Sequence, residues 1–383
     1  MTLGWILLAL VWVPTFYLVL LSLAAWRAAN PWPALALSAA SRTRFRIVIP
    51  AHNEARHIAT VVRHTLALDY PPERFRVVVV ANACTDETAA LAAAAGAQVI
   101  EYEVPGKGGA LDHAFGRLAD DPDWEALVVL DADSTLDRHA LRVLDALFQA
   151  GADAVQLRYA VANATAHPRT EIAAVQLASL NGLRPLARDR LGWSAGIYGN
   201  GFALTRRTLA DVPYRAFGIV EDLEYHQHLF LAGKRVRYAD AAAVWAEMPV
   251  ARHQLATQRV RWERGKLWTI RHYLGAVLRQ FPLRPWATLG QTGDLCMPPV
   301  AWVALLFGAA LLIGHTWTVR TLALAGFAAI LVHYLQAVRR YHLLGLFASA
   351  LRHAPGYIAE KLWAVLHSAA TERQLGWKRT ERE

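Results

Sequence analysis

Asp131 and Asp133 stand two residues apart, directly after the apolar run Ala126 to Leu130. Two carboxylates in this relation on a tight turn can converge on one divalent cation. As hard oxygen ligands with no His or Cys beside them, they select Mg²⁺ or Mn²⁺ over Zn²⁺. A solvated acidic turn is the plainer alternative, and no third protein ligand is identifiable. Lys107, between Gly106 and Gly108-Gly109, offers a positive charge and open backbone N–H groups to an anion, although Gly-rich turns carrying a lysine are common. Glu221-Asp222 opens a segment whose apolar positions Leu223, Leu229 and Leu231 read as a helix. A carboxylate at that N-terminus would bind protons weakly, stay ionised and act as a general base. It would serve equally as an N-cap, and Glu221 is the alternative base. Gln258-Arg259-Val260-Arg261-Trp262 lies on a basic segment of helical spacing, Arg252 to Lys266. Its cations can pair with an anion and its indole can stack, or Arg and Trp can anchor a helix at a membrane interface.

The elements that must position these residues alternate between short β-branched runs and helical segments, as in an open α/β sheet. Strands are expected at Arg46–Pro50, Phe75–Val80, Val99–Tyr102 and Ala126–Leu130, with helices at Asn53–Leu68, Asp86–Ala95 and Lys107–Leu118. Parallel strands joined by helices follow, and ligands of such sheets bind beyond the carboxyl ends of the strands. The post-strand residues are polar: His52-Asn53-Glu54, Asn82 to Asp86, Gly106 to Gly109 and Asp131 to Asp133. The glycine segment follows the third strand and no G-x-G-x-x-G precedes the first helix, which disfavours a Rossmann-type dehydrogenase.

On these motifs the chain resembles the membrane-bound family 2 glycosyltransferases, whose fold is GT-A, a Rossmann-like α/β domain. Pro50-Ala51-His52-Asn53-Glu54 looks like their opening Pro-x-x-Asn-Glu, Asn82 to Asp86 like the Asp-x-x-Ser-x-Asp loop, and Asp131-Ala132-Asp133 like the metal-binding Asp-x-Asp. Glu221-Asp222 resembles the acidic pair carrying the base, and Gln258 to Trp262 matches Gln-x-x-Arg-Trp, found in both the cellulose/hyaluronan synthase-like and the ceramide/hopanoid glucosyltransferase-like branches. The resemblance implies an inverting, metal-dependent hexosyltransferase that uses a nucleotide-sugar, a UDP-sugar first among them. His52, Asn53 and Glu54 would border base and ribose, with Pro50 ahead of them. Asn82 and Asp86 would hold the base or sugar hydroxyls, and Lys107 and Asp131 the diphosphate. Gly199-Asn200-Gly201 resembles the acceptor-side glycine turn, where Gln258, Arg259, Arg261 and Trp262 would meet acceptor and diphosphate. Ala81-Asn82 departs from the family, which has an Asp directly after this strand, and Cys84 stands where Ser is usual and reads as packing. A catalytically silent nucleotide-binding module is the alternative that this departure raises.

The rest of the chain is apolar. Leu3 to Trp26 is long enough to cross a bilayer, with no basic residue ahead of it and no small-residue cleavage site after it. Arg27, Arg42, Arg44 and Arg46 then place the following domain in the cytoplasm by the positive-inside rule. Met297–Ile313 and Leu322–Leu335, separated by His315 to Thr318, read as a membrane hairpin of two short runs closed by Arg339 and Arg340. The expected organisation is a span at 1–28, a cytosolic GT-A domain at 45–268, interfacial helices at 269–296, the hairpin at 297–336, and an amphipathic helix pair with a solvated tail at 337–383. Such a protein sits in the inner (plasma) membrane, with a lipid or glycan acceptor. A processive synthase that exports its product would need an oligomer or partner subunit to complete a channel.

Composition agrees with this division. Hydrophobic residues make up 55% of 383 and charged residues only 19%, which excludes a disordered or collagen-like chain. The net charge of +9 suits an anionic membrane face as well as nucleic acid, but the basic residues cluster beside Trp-rich apolar segments, so no nucleic-acid partner is expected. Cys84 and Cys296 form neither a metal-ligand spacing nor a disulfide framework.

Overall fold

The structure is a computed structural model in which residues 2–26, 40–218, 220–250 and 252–370 are described. The elements run α1 (Thr2–Ala25), β1 (Phe45–Ala51), α2 (Ile58–Leu66), β2 (Phe75–Asn82), α3 (Thr88–Ala94), β3 (Gln98–Tyr102), α4 (Lys107–Ala119), β4 (Ala126–Val129) and β5 (Ser134–Leu136). They continue with α5 (Ala140–Gln149), β6 (Ala154–Val161), α6 (Pro168–Leu177), a π-helical turn (Ala178–Leu183), α7 (Arg184–Arg190), β7 (Phe202–Thr205), α8 (Arg206–Asp211), α9 (Glu221–Leu231) and β8 (Val236–Ala246). Five further helices follow: α10 (Arg252–Leu278), α11 (Pro285–Cys296), α12 (Val300–Ile313), α13 (Trp317–Arg340) and α14 (Leu344–Ala370). The chain divides into two compact units, one of residues 1–28, 164–193 and 277–371, the other of 29–163, 194–276 and 372–383.

The second unit is built on one eight-stranded sheet of order β3-β2-β1-β4-β7-β6-β8-β5. β1 pairs in parallel with β2 and β4, and β2 with β3. β7 runs antiparallel to both β4 and β6, so the sheet is mixed rather than wholly parallel. The first strands read as unbroken Val/Ile runs because both faces are covered. Ile47, Ile49, Val77 and Val79 pack with Ile58 and Val62 of α2 on one side, while Val48, Val78 and Val80 pack with Leu111, Ala114 and Phe115 of α4 on the other. This is the Rossmann-like GT-A fold. Chain order reverses between β1 and β4, which opens a crevice at their carboxyl ends.

Two sequence-based boundaries move for a physical reason. The expected helix from Asn53 starts only at Ile58, since Asn53 has φ of 55° and residues 52–57 form a polar turn. The helix expected from Asp86 begins at Thr88, whose backbone N–H donates to Asp86 Oδ1 at 3.0 Å. Both loops are thereby kept free of helix at the carboxyl end of the sheet.

In the first unit, Leu3–Ala25 and Trp317–Arg340 are long and apolar enough to cross a membrane, and α11 and α12 form a pair bent by 76°. Their core joins Leu8, Val11 and Leu18 of α1 to Val303, Phe307 and Ala310 of α12 and to Val319, Ala323 and Ile330 of α13. The second run of the expected hairpin is therefore longer than the sequence indicates. Thr316 accepts from the Val319 N–H and starts α13 inside the polar break. The helix pair expected after residue 337 is one helix, α14, which continues through Pro355; the tail from Thr371 lies outside the described residues.

Candidate active site

Each parallel strand delivers its polar residues to the same end of the sheet. After β1, His52 Nδ1 lies 2.6 Å from the Asn82 carbonyl, to which it donates. Asn53 accepts from the Thr85 N–H at 2.7 Å and donates to Thr85 Oγ1 at 3.1 Å, while the Glu54 N–H donates to Thr88 Oγ1 at 2.8 Å. Asp86 accepts from the Ala55 N–H at 3.2 Å. Burial raises its proton affinity, but the hydrogen bonds from Thr88 and Ala55 outweigh that and hold the carboxyl below the usual carboxylate range. The turns after β1 and β2 are thus laced into one wall. Cys84 Sγ lies 3.4 Å from the Ala51 carbonyl inside it, in a packing position. Pro50 stays within β1, in register with Val80.

Asn82 does something other than expected. It is buried, its Oδ1 accepts from the Gly106 N–H at 3.0 Å, and its Nδ2 donates to the carbonyls of Tyr102 and Val104 at 3.2 and 2.7 Å. A primary amide has two acceptor positions and two N–H groups, and here both N–H groups and the oxygen serve backbone. Asn82 thereby shapes the turn that presents Lys107.

Lys107 opens α4, and its ammonium is the hub of the site. Nζ donates to Asp131 Oδ1 and to the Gly199 carbonyl, each at 2.6 Å, and lies 3.9 Å from Glu221. Burial works against its charge, yet Asp131 and Glu221 raise its proton affinity and keep it an ammonium ion. Close packing fixes this helix start: a Cβ at Gly108 would come within 2.3 Å of the Ala216 carbonyl oxygen, so the 214–218 segment rests directly on the first turn of α4.

The Asp131–Asp133 turn is held by Asn200, whose Oδ1 accepts from the Asp131 N–H at 3.1 Å and whose Nδ2 donates to Ser134 Oγ at 2.9 Å. Asn200 is 1% exposed, so the residue expected on the acceptor side instead supports the acidic turn. Gln156, which the sequence reading missed, donates to the Asn200 carbonyl at 2.8 Å and accepts from the Tyr198 N–H at 3.0 Å. A fully buried amide within the apolar strand β6 was the available signal. Gly199 and Gly201 take φ of 73° and 69°, which a side chain would strain. Through Gly199 the turn reaches the acidic pair, since a Cβ there would lie 3.2 Å from Asp222 Oδ2.

Asp222 does not have the low proton affinity expected of a helix N-terminus. Burial and the adjacent Glu221 charge push it up to about 7, against the Leu223 N–H, which donates to it at 2.8 Å, and against Lys107. Desolvation and like charge outweigh the helix dipole here. Asp222 is thus poised to exchange a proton near neutral pH. Farther along the chain, Arg261 is half-buried and Trp262 is 41% exposed on α10. The side chains of Gln258 and Arg259 lie outside the described residues.

Asp131 and Asp133 fit a hard divalent cation in chemistry, being oxygen donors from one turn that leave further positions to phosphate oxygens and water. Among the described residues no group of three or more His, Cys, Asp and Glu side chains converges as a metal cage. A cation here would share its coordination with a ligand.

A half-buried ammonium lies between an Asp-x-Asp turn and a second acidic pair, at the carboxyl ends of a GT-A sheet. The family model described as Glycosyltransferase like family 2 matches residues 43–265. The chain belongs to this family. It is therefore a glycosyltransferase acting with nucleotide-sugars. A probable glycosyltransferase of Bacillus subtilis is 24% identical over 285 residues, covering 71% of this chain and 68% of that protein. A beta-monoglucosyldiacylglycerol synthase of Synechocystis is 27% identical over 229 residues, covering 57% of this chain and 47%, less than half, of that protein. Among solved structures, a mannosyltransferase of Pyrobaculum calidifontis in complex with GDP-Man and Mn²⁺ aligns with a TM-score of 0.56 at 18% identity, over 91% of this chain and 99% of that one. The likeness to that structure lies in the fold.

Proposed function

We propose that the protein transfers one sugar, with inversion, from a nucleotide-sugar to a hydroxyl of a membrane-associated lipid or glycan at the cytoplasmic face. The observation that carries this reading is the placement of Lys107, which touches Asp131 and Gly199 and lies beside Glu221, with Gly199 against Asp222. Diphosphate charge and acceptor proton are thus handled within one cluster. Asp131 and Asp133 would hold Mg²⁺ or Mn²⁺, which offsets the charge of the departing diphosphate when bound. Lys107, at the start of α4, would meet the same phosphates with its ammonium. Asp222 accepts the proton of the acceptor hydroxyl as its oxygen bonds to C1. The C1–O bond to the diphosphate breaks, and its electron pair leaves with the nucleoside diphosphate. Arg261 and Trp262 line the acceptor side, with Gln258 and Arg259 on the same helix.

A membrane acceptor is supported by the apolar helices α1 and α13. The glycolipid synthase among the relatives agrees with it. Incubating the protein in lipid vesicles with labelled UDP-glucose or GDP-mannose, followed by organic extraction and sizing, tests the proposal. Label in the extract, one sugar per acceptor, is the expected result. A long water-soluble glycan would make the enzyme a processive synthase, and no labelled product with any nucleotide-sugar would reject transfer.

A further inference from the structure

Residues 214–218 and Val220, which precede Asp222, are held from two sides. On one side Gly108 admits the Ala216 carbonyl next to Lys107; on the other a Cβ at Gly265 of α10 would come within 2.5 Å of Val220 Cγ2. Between these contacts, the Gly218 N–H donates to Glu224 Oε2 at 2.8 Å. The other oxygen of that carboxylate accepts from Tyr273 Oη of α10 at 3.1 Å, and Tyr273 Oη lies 2.9 Å from His228 Nε2. A phenol has one proton to give, so Tyr273 donating to Glu224 makes His228 Nε2–H the donor to Tyr273. Burial lowers the proton affinity of His228, which suits the neutral ring that this chain needs, while burial and the Glu224 charge push Tyr273 up to about 12. Trp268 closes the arrangement: a side chain at Gly218 would meet both its ring and the Glu224 carboxylate.

We propose that Glu224, oriented by Tyr273, is a positioning residue that keeps the helix bearing Arg261 and Trp262 in register with the segment between Lys107 and Asp222. Both oxygens of the carboxylate are engaged within the protein, by the Gly218 N–H and the Tyr273 hydroxyl. Glu224 sets the distance between the acceptor-side helix and the base, so its loss misplaces the acceptor while water still reaches C1. This rests on the functional reading above, and the test separates the two.

Transfer and donor hydrolysis are measured in parallel for wild type, Tyr273→Phe, Glu224→Gln, Glu224→Ala and Asp222→Asn, with thermal midpoints. Tyr273→Phe removes one hydrogen bond at constant shape. It should lower kcat for transfer about tenfold to a hundredfold, the scale of a small misplacement remote from the chemistry, and leave donor KM within about twofold. The ratio of hydrolysis to transfer should rise about tenfold. Glu224→Gln, which keeps an oxygen for the Gly218 N–H, should retain more transfer than Glu224→Ala. An unchanged ratio in Tyr273→Phe, whether from undiminished activity or from equal losses that track a fallen thermal midpoint, overturns the positioning role. If Asp222→Asn then still fails in transfer, only this inference falls; if Asp222→Asn matches wild type, the functional reading falls with it.

Discussion

Asp222 holds its proton more tightly than an isolated carboxyl because its ionisation would place a second negative charge beside Glu221 in a poorly solvated corner. A base with this property gives kcat/KM an acidic limb near 7: below it the carboxyl is protonated and accepts nothing, and above it the carboxylate is available. Glu221→Gln removes the like charge and should move the limb about one unit or more toward acid. A limb near pH 4 in the wild type, or one insensitive to Glu221→Gln, would contradict the assignment. The identity of the acidic pair was legible from sequence, but its proton affinity was not, because the helix terminus is local whereas burial and the Lys107 contact come from distant segments. The structural bonds of Asn82 and Asn200 were not legible for a related reason. An amide beside a site looks like a ligand contact until the backbone groups that occupy it are located.

At the level of elements, the start of α4 depends on a glycine that carries no chemistry. Gly108→Ala would drive a Cβ into the Ala216 carbonyl, and because backbone cannot swing aside as a flexible side chain does, the 214–218 segment must shift. Overpacking of this sort costs about 1–3 kcal/mol. The variant should show a lower thermal midpoint and donor affinity reduced about tenfold, since the displaced segment borders Lys107. Calorimetry of nucleotide-sugar binding would check this, and wild-type affinity would show that the contact is slack. β1, β2 and β4 were legible because burial on both faces makes them continuous apolar, mostly β-branched runs, whereas β3, a half-exposed edge strand, carries the weaker pattern Gln-Val-Ile-Glu-Tyr. β7 and the antiparallel half of the sheet were not, since Phe202–Thr205 is a four-residue strand without a pattern of its own. The loops after β1 and β2 were read as helix because polar residues that cap or bridge keep helical spacing nearby.

For the whole molecule, under the proposed membrane reading the arginines at positions 42, 44, 339 and 340 would put the catalytic unit in the cytoplasm. Protease added to sealed inside-out vesicles should cut between residues 51 and 266, and protection of that stretch would reverse the orientation. Excess chelator should abolish turnover, and Asp133→Ala should do the same in a folded protein, because two neighbouring carboxylates alone cannot offset a diphosphate. Full turnover in chelator would remove the metal from the account. The two apolar helices were plain in the sequence, whereas the grouping of residues 164–193 with them was not, since these residues interrupt the catalytic unit in chain order and carry charged side chains such as Arg184, Arg188 and Asp189. The most direct measurement is the turnover of Asp222→Asn together with its donor affinity by calorimetry. Turnover should fall by about 10² to 10⁴, the range of general base catalysis, with donor affinity unchanged. Loss of donor binding with the saturating rate spared would instead place Asp222 in the donor site and make Glu221 the base.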